Sequence, residues 1–224
     1  MKAKPVIQVR VQSQALAKSW PRLTEDERDF LTEMHQHWEG EFKRIDWVAR
    51  GNREGIAATE HSVVDEHMRE FMATHPKAPE VPCRRGCSAC CRQNVTITEP
   101  EGVLLLKFAE YAGVVIDWAK VERQAAAPGR GPKAWSTLPV EDRACVFLGD
   151  DGECRVYEHR PSGCRKYLVF TDAALCDVEK HPGEQVGILF SLEAETVASA
   201  SLVVFDNGPL PRMLLQAKAK ETTK

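Results

Sequence analysis

Two blocks of four cysteines constrain this 224-residue sequence more than any other feature. The first block lies within PCRRGCSACCR, residues 82–92, and the second is spread over residues 145–176. Gln8, Arg10 and Gln12 break up the apolar stretch that a signal peptide needs, so we expect a cytoplasmic protein. In a reducing compartment, closely spaced cysteines are more often metal ligands or redox centres than structural disulfides.

All eight cysteines are therefore candidate metal ligands. They are Cys83, Cys87, Cys90, Cys91, Cys145, Cys154, Cys164 and Cys176. Zinc takes four thiolate or imidazole ligands and a 4Fe-4S cluster takes four thiolates, so the count fits either metal in one or two centres. Cys176 is equally well explained as a buried apolar residue. His159 and His181, in or just after the second block, are weaker candidates.

Basic residues surround both blocks. Arg84, Arg85 and Arg92 accompany the first block, and Arg143, Arg155, Arg165 and Lys166 accompany the second. Their charges can offset the negative charge of a thiolate-bound metal. The same charges would lower the pKa of free thiols and make them reactive, which is typical of a thiol redox sensor. Both interpretations are consistent with the sequence.

Cys90 and Cys91 are adjacent, which limits how they can share an ion. Neighbouring side chains of an extended segment point to opposite faces. We therefore expect the two thiols to face different centres, or one to bind metal while the other is buried.

The composition excludes several classes of protein. With 43% hydrophobic and 28% charged residues, the chain is typical of a globular protein. Neither residues 1–80 nor residues 81–224 carry an excess of basic side chains, so we expect no nucleic-acid partner. The longest apolar run, residues 102–119, is interrupted by three charged residues, so we expect no membrane partner.

The spacing of apolar residues predicts a mainly α fold with small β elements. We predict helices over about residues 24–48, 56–72, 99–111 and 115–127, a strand within 94–98, a loop at 128–133, and a hairpin around Asp151 and Gly152 that carries Cys145 and Cys154. Capping boxes at Thr24 with Glu27 and at Thr98 with Glu101 start two of these helices. Residues 184–204 begin with a helical pattern but end in β-branched residues, and residues 206–217 form a turn and a short apolar segment.

Three prolines within residues 76–82 mark a boundary in the chain. Before it, residues 1–80 form a helical N-terminal extension, expected to be a helical hairpin whose histidines, His61 among them, are solvated. After it, residues 81–180 form a compact, loop-rich cysteine-cluster domain stabilised by metal. Residues 181–224 are predicted to be a C-terminal helix and tail that pack on this core.

The two blocks together resemble a known family. CRRGCSACCR, followed by CVFLGDDGECRVYEHRPSGCRKY, is similar to the zinc- or iron-chelating CxxCxxCC proteins, also called the YkgJ family. The resemblance covers roughly residues 81–176. The first block departs from the pattern by one residue, because three residues separate Cys83 from Cys87.

This resemblance implies metal chelation by the cysteines, with zinc, iron or an iron–sulfur cluster as the cofactor. A flagellin lysine methylase resembles the same pattern, so an iron-dependent, methylase-like enzyme acting on a protein or peptide partner is an alternative. No catalytic residue and no nucleotide-binding loop is recognisable in the sequence.

Overall fold

The computed structural model describes residues 20–29, 32, 40, 53–128 and 132–221. Within them, the capping box at Thr24 is confirmed: Thr24 N donates to Glu27 Oε2 at 2.7 Å, and Glu27 N donates to Thr24 Oγ1 at 3.3 Å. Most of the predicted helix over residues 24–48, and its pairing into a hairpin, lie outside the described residues.

The described residues form α-helices joined by short strands and 3-10 turns. The helices are α1 (Arg53–Thr74), α2 (Glu99–Tyr111), α3 (Trp118–Ala125), α4 (Pro132–Trp135), α5 (Ser162–Lys166), α6 (Leu192–Val204) and α7 (Leu210–Glu221). The strands are β1 (Thr96–Thr98), β2 (Leu168–Val169), β3 (Ile188–Leu189) and β4 (Asn207–Pro209). The predicted fold class, mainly α with small β elements, is confirmed.

Helix α2 and its neighbours form the larger core. The side chain of Thr98 caps the helix, and Glu101 completes the capping box, so α2 begins at Glu99 as predicted. Strand β1, directly before it, pairs antiparallel with β4, directly before α7. This pairing sets α2 and α7 side by side, where Leu105 and Leu214 are fully buried.

Helix α1 packs on a second, smaller core. Val63, Val64 and Met68 of α1 contact Ala194 and Val197 of α6. Helix α1 also contacts α2 and α5, so the second predicted helix lies against the region that carries the cysteines. The division into domains at residue 80 stays a prediction.

The expected hairpin around Asp151 and Gly152 is present and short. Leu148 and Cys154 form an antiparallel bridge, Gly149 N donates to Glu153 O at 2.9 Å, and Arg155 N donates to Phe147 O at 2.8 Å, with Gly152 at a φ of +77° in the turn. Two other local predictions differ from the structure. The loop predicted at 128–133 contains the start of α4 at Pro132, a position where proline costs no helical hydrogen bond. Within residues 184–204, the part expected to be helical at its start contains β3, and the part with the ambiguous, β-branched end is helix α6, whose Ala194 and Val197 pack against α1. No helix among the described residues combines the length and apolar character needed to cross a bilayer.

The packing predicts a stability difference between two valines. Val121 in α3 is fully buried, whereas Val115 is 90% exposed. We expect Val121→Ala to lower the free energy of unfolding by about 2 kcal/mol, because it removes buried methyl groups and leaves a cavity. Val115→Ala makes the same change at the surface and should alter the free energy by less than about 0.5 kcal/mol. Urea unfolding measures both, and equal effects would contradict the assigned core.

Candidate metal centre

A backbone hydrogen bond joins the two cysteine blocks. Cys145 N donates to Cys91 O at 2.8 Å. Trp135 strengthens this junction, because its Nε1 donates to Arg92 O at 2.9 Å and to Arg143 O at 3.2 Å. The two blocks, more than 50 residues apart in sequence, therefore lie side by side.

The first block is a tight turn followed by a 3-10 helix. Cys87 N donates to Arg84 O at 3.0 Å, and Gly86 has a φ of +85°, which favours glycine. Residues Ala89–Arg92 are the 3-10 helix. The extended geometry that we assumed for Cys90 and Cys91 is therefore wrong.

Six cysteines line one cavity of about 140 Å³, here called the cysteine cavity. They are Cys87, Cys90, Cys91, Cys145, Cys154 and Cys164. Arg160, Tyr157, Tyr167 and Gln93 also line it, and among its described lining residues there is no carboxylate and no histidine. Soft thiol donors in a shared cavity are a suitable donor set for zinc or iron.

Cys83 and Cys176 lie next to this cavity rather than in its lining. Cys83 Sγ accepts a hydrogen bond from Val169 N at 3.4 Å. Cys176 is buried, and its carbonyl oxygen accepts from Gln93 Nε2 at 2.8 Å. Gln93 thereby connects Cys176 to the first block.

The thiols shift one another's pKa values, and Cys90 does so for thiols of both blocks. We call Cys83, Cys87, Cys90 and Cys176 the first thiol group, and Cys91, Cys145, Cys154 and Cys164 the second. Burial raises the pKa of Cys176, and the three other thiols of its group raise it further. The contact with Cys90 raises the pKa of Cys91, and so do burial and the thiols of Cys145 and Cys164. Cys90 influences members of both groups.

Burial makes most of these thiols hard to ionise without a metal. It raises the pKa of Cys145 to about 11 and, together with neighbouring thiols, that of Cys176 to about 11. Cys90 differs, since its contact with Cys91 holds its pKa at about 7. A metal cation at this place would favour the thiolate form and displace the protons.

Arginines supply positive charge beside the cavity. The guanidinium carbons of Arg160 and Arg85 lie 3.9 and 4.5 Å from the centre of the Tyr157 ring. These are cation–π contacts, which hold both charges near the thiols. Burial raises the pKa of Cys154, and both arginines oppose that shift.

A buried carboxylate holds the short helix α5, which carries Cys164. Glu101 Oε1 accepts from Ser162 N at 2.7 Å and lies 3.1 Å from His61 Nε2. Glu101 Oε2 accepts from Thr98 N at 2.8 Å and from Thr98 Oγ1 at 3.2 Å. Hydrogen bonds to the carboxylate lower the pKa of Glu101 although burial raises it.

Only part of the hydrogen-bond network of Glu101 was predictable from the sequence. The capping pattern identified Glu101 as the partner of Thr98, but no local signal indicated its bond to Ser162, 61 residues away. The expectation that His61 is solvated is wrong, since the side chain is buried against Glu101. His159 packs on Phe108, with ring centres 4.2 Å apart, and does not line the cysteine cavity.

The thiols share a cavity, but the structure does not gather them around one point. Within the described part of the chain, no three His, Cys, Asp or Glu side chains are grouped closely enough to hold an ion. A scan of protein-family models matches residues 82–181 to CxxCxxCC, described as a putative zinc- or iron-chelating domain. Searches of the curated proteins and of the solved structures found no match.

The network around α5 predicts a pH dependence of stability. Burial raises the pKa of Glu60 from 4.5 to about 8, and the charge of Glu101 adds to this. Between about pH 5 and pH 8 the unfolded state therefore loses a proton that the folded state keeps, so unfolding becomes easier as pH rises.

We expect Glu60→Gln, which cannot ionise, to remove this loss. The free energy of unfolding of this variant, relative to that of the unmodified chain, should rise by on the order of 3 kcal/mol between pH 5 and pH 8. Glu66→Gln, at an exposed position of the same helix, should leave the pH profile unchanged. Urea unfolding at several pH values measures this, and parallel profiles for Glu60→Gln and the unmodified chain would contradict it.

Proposed function

Because residues 82–181 form a domain of the CxxCxxCC family, described as putative zinc- or iron-chelating, we propose that this chain binds zinc or iron through two neighbouring groups of four thiolates. The first thiol group supplies Cys83, Cys87, Cys90 and Cys176, and the second supplies Cys91, Cys145, Cys154 and Cys164. Adjacent Cys90 and Cys91 then belong to different groups.

The shared lining of the cysteine cavity carries this proposal. Six thiols from two distant blocks line one space of about 140 Å³. The hydrogen bond from Cys145 N to Cys91 O places the blocks together through the backbone, so their proximity does not depend on flexible side chains. The pKa of Cys176 is raised by the three other thiols of the first group, and that of Cys91 by Cys145 and Cys164 of the second, while Cys90 acts on both groups.

The surrounding residues favour a bound metal over free thiols. A bound zinc or iron ion, or an iron–sulfur cluster, supplies the positive charge that stabilises thiolates away from water. Four thiolates around one divalent ion leave a negative charge, which Arg160 and Arg85 can offset from beside Tyr157. The backbone N–H of Val169 already donates to Cys83 Sγ and would donate more strongly to a thiolate.

The lining gives less support to catalysis at this centre. The methylase-like alternative needs groups that move protons at the reacting atoms. The described lining of the cysteine cavity has no carboxylate and no histidine, and its six thiols are the proposed metal ligands, so Tyr157 and Tyr167 are the acid–base groups that it leaves for a reaction. Chelation, with metal binding that stabilises the domain, is therefore the function that the geometry supports best.

Metal analysis of single-cysteine variants tests the proposal. Protein purified without oxygen should contain about two zinc ions per chain and be colourless, or contain iron with sulfide and be brown. Cys164→Ser should remove metal from the second thiol group only, and Cys176→Ser from the first only, so each variant should keep about half of the metal. Ser88→Ala, beside Cys87, should keep all of it.

Two results would contradict this assignment. Protein with no bound metal and eight freely titratable thiols in the native state would exclude chelation and favour the redox sensor. If each cysteine variant loses all of its metal while circular dichroism shows an intact fold, the thiols hold a single metal centre and not two.

Metal removal should loosen the cysteine region before the rest of the chain. The segment is rich in turns and has little regular structure of its own, so bound metal would supply much of its stability. After chelation, amides in residues 83–92 and 145–176 should exchange at least about tenfold faster, which corresponds to about 1.4 kcal/mol. Amides of α6, which pack on α1 in the smaller core, serve as the internal reference. Unchanged exchange in both cysteine segments would count against a structural role for metal.

A further inference from the structure

Arg160 is the only basic side chain in the described lining of the cysteine cavity. Its guanidinium carbon lies 3.9 Å from the centre of the Tyr157 ring. Its Nε is buried and makes no hydrogen bond. Since a buried donor of a charged group is costly without a partner, this position requires negative charge nearby.

The backbone holds Arg160 at the cavity wall. The residue follows the 3-10 turn Tyr157–His159 and precedes Pro161, and its φ of −52° and ψ of 139° are extended, as the following proline favours. Its carbonyl oxygen accepts a hydrogen bond from Arg165 Nε at 2.6 Å. Pro161 lines the cavity as well. Arg160 is therefore placed by the fold, directly before the helix that carries Cys164.

The neighbouring guanidinium groups are already paired with carboxylates. Arg85, whose side chain is 50% exposed, pairs with Glu158 at 2.6 Å. Arg165 pairs with Asp65 of α1. Among the residues that the structure describes, no carboxylate forms an ion pair with Arg160, and none lines the cavity beside it. The thiolates are therefore the negative groups that the cavity offers to Arg160.

The charge of Arg160 acts on thiols of both groups. Burial raises the pKa of Cys83 in the first thiol group, and Arg160 opposes that shift. Burial likewise raises the pKa of Cys154 and of Cys164 in the second group, and Arg160 opposes the shift in each. One guanidinium thus favours thiolates on both sides of the cavity.

We propose that Arg160 is the counter-ion that both thiol groups share, and that its charge sets how tightly each group holds its metal. This inference rests on the proposed chelation by two groups of four thiolates, each of which keeps a net negative charge around a divalent ion. Arg160 is a positioning residue, because it places a positive charge beside the ligands and does not bind the metal. A partly buried charge acts more strongly than an exposed one such as Arg85.

Graded EDTA, applied to the metal-loaded full chain, tests the proposal. Arg160→Gln removes the charge and should lower the EDTA concentration that releases half of the metal by about 10–100-fold, as is usual when an outer partner of metal ligands is lost. Arg160→Lys keeps a positive charge and should need at least about threefold more EDTA than Arg160→Gln. Arg85→Gln is the matched control at an exposed arginine and should stay within about twofold of the unmodified chain. Elemental analysis measures the metal that remains.

Double variants test whether both groups depend on Arg160. Cys176→Ser should leave metal in the second thiol group only, and Cys164→Ser in the first only. Adding Arg160→Gln to either variant should lower the EDTA concentration for half release by factors that agree within about threefold.

Four results would overturn the inference while leaving metal binding intact. The first is equal metal retention by Arg160→Gln and the unmodified chain. The second is equally weak retention in Arg160→Lys and Arg160→Gln, both folded by circular dichroism, which would show that the shape of the side chain matters and its charge does not. The third is equal weakening by Arg85→Gln, and the fourth is weakening in only one of the two double variants. An unmodified chain without metal would instead overturn the proposed function, and the inference with it.

Discussion

The hydrogen bond from Cys145 N to Cys91 O is the contact on which the arrangement of the cysteines depends. It joins the 3-10 helix of the first block to the start of the second block, and Trp135 holds both sides of the junction through its indole N–H. Since this junction is made by backbone atoms, the two blocks are positioned by the fold itself. A metal bound there would be enclosed by an existing junction and would not have to create it.

Glu101 positions the helix that carries Cys164. A single buried carboxylate caps α2 through Thr98 and also accepts from Ser162 N, at the start of the helix that carries Cys164. Four donors around one ionised group offset the cost of burying its charge. The position of a proposed metal ligand in the second block is thus fixed by a residue outside both blocks.

The features predictable from the sequence are those set by neighbours along the chain. The capping pattern at Thr98 placed the start of α2, and the alternation of apolar residues placed β1 within residues 94–98. The conformation of Cys90 and Cys91 was not predictable, because a 3-10 helix of four residues has no periodic signal. The burial of Glu60 and His61 also escaped prediction. A helix of this composition has polar residues all around it, and only contacts with α2, α5 and α6 determine which of them are covered.

Gly163 lies where two cavities meet. A Cβ at this position would lie 3.0 Å from Val95 Cγ2, closer than side chains normally pack, so glycine is what allows α5 to approach the segment before β1. Gly163, Val95 and Asn94 line both the cysteine cavity and a second cavity, which Glu60 and Glu101 also line. On either side of this glycine, Cys164 lines the cysteine cavity and Ser162 lines the second cavity. One short helix therefore holds both Ser162, whose hydroxyl donates to Glu60, and Cys164, a proposed metal ligand.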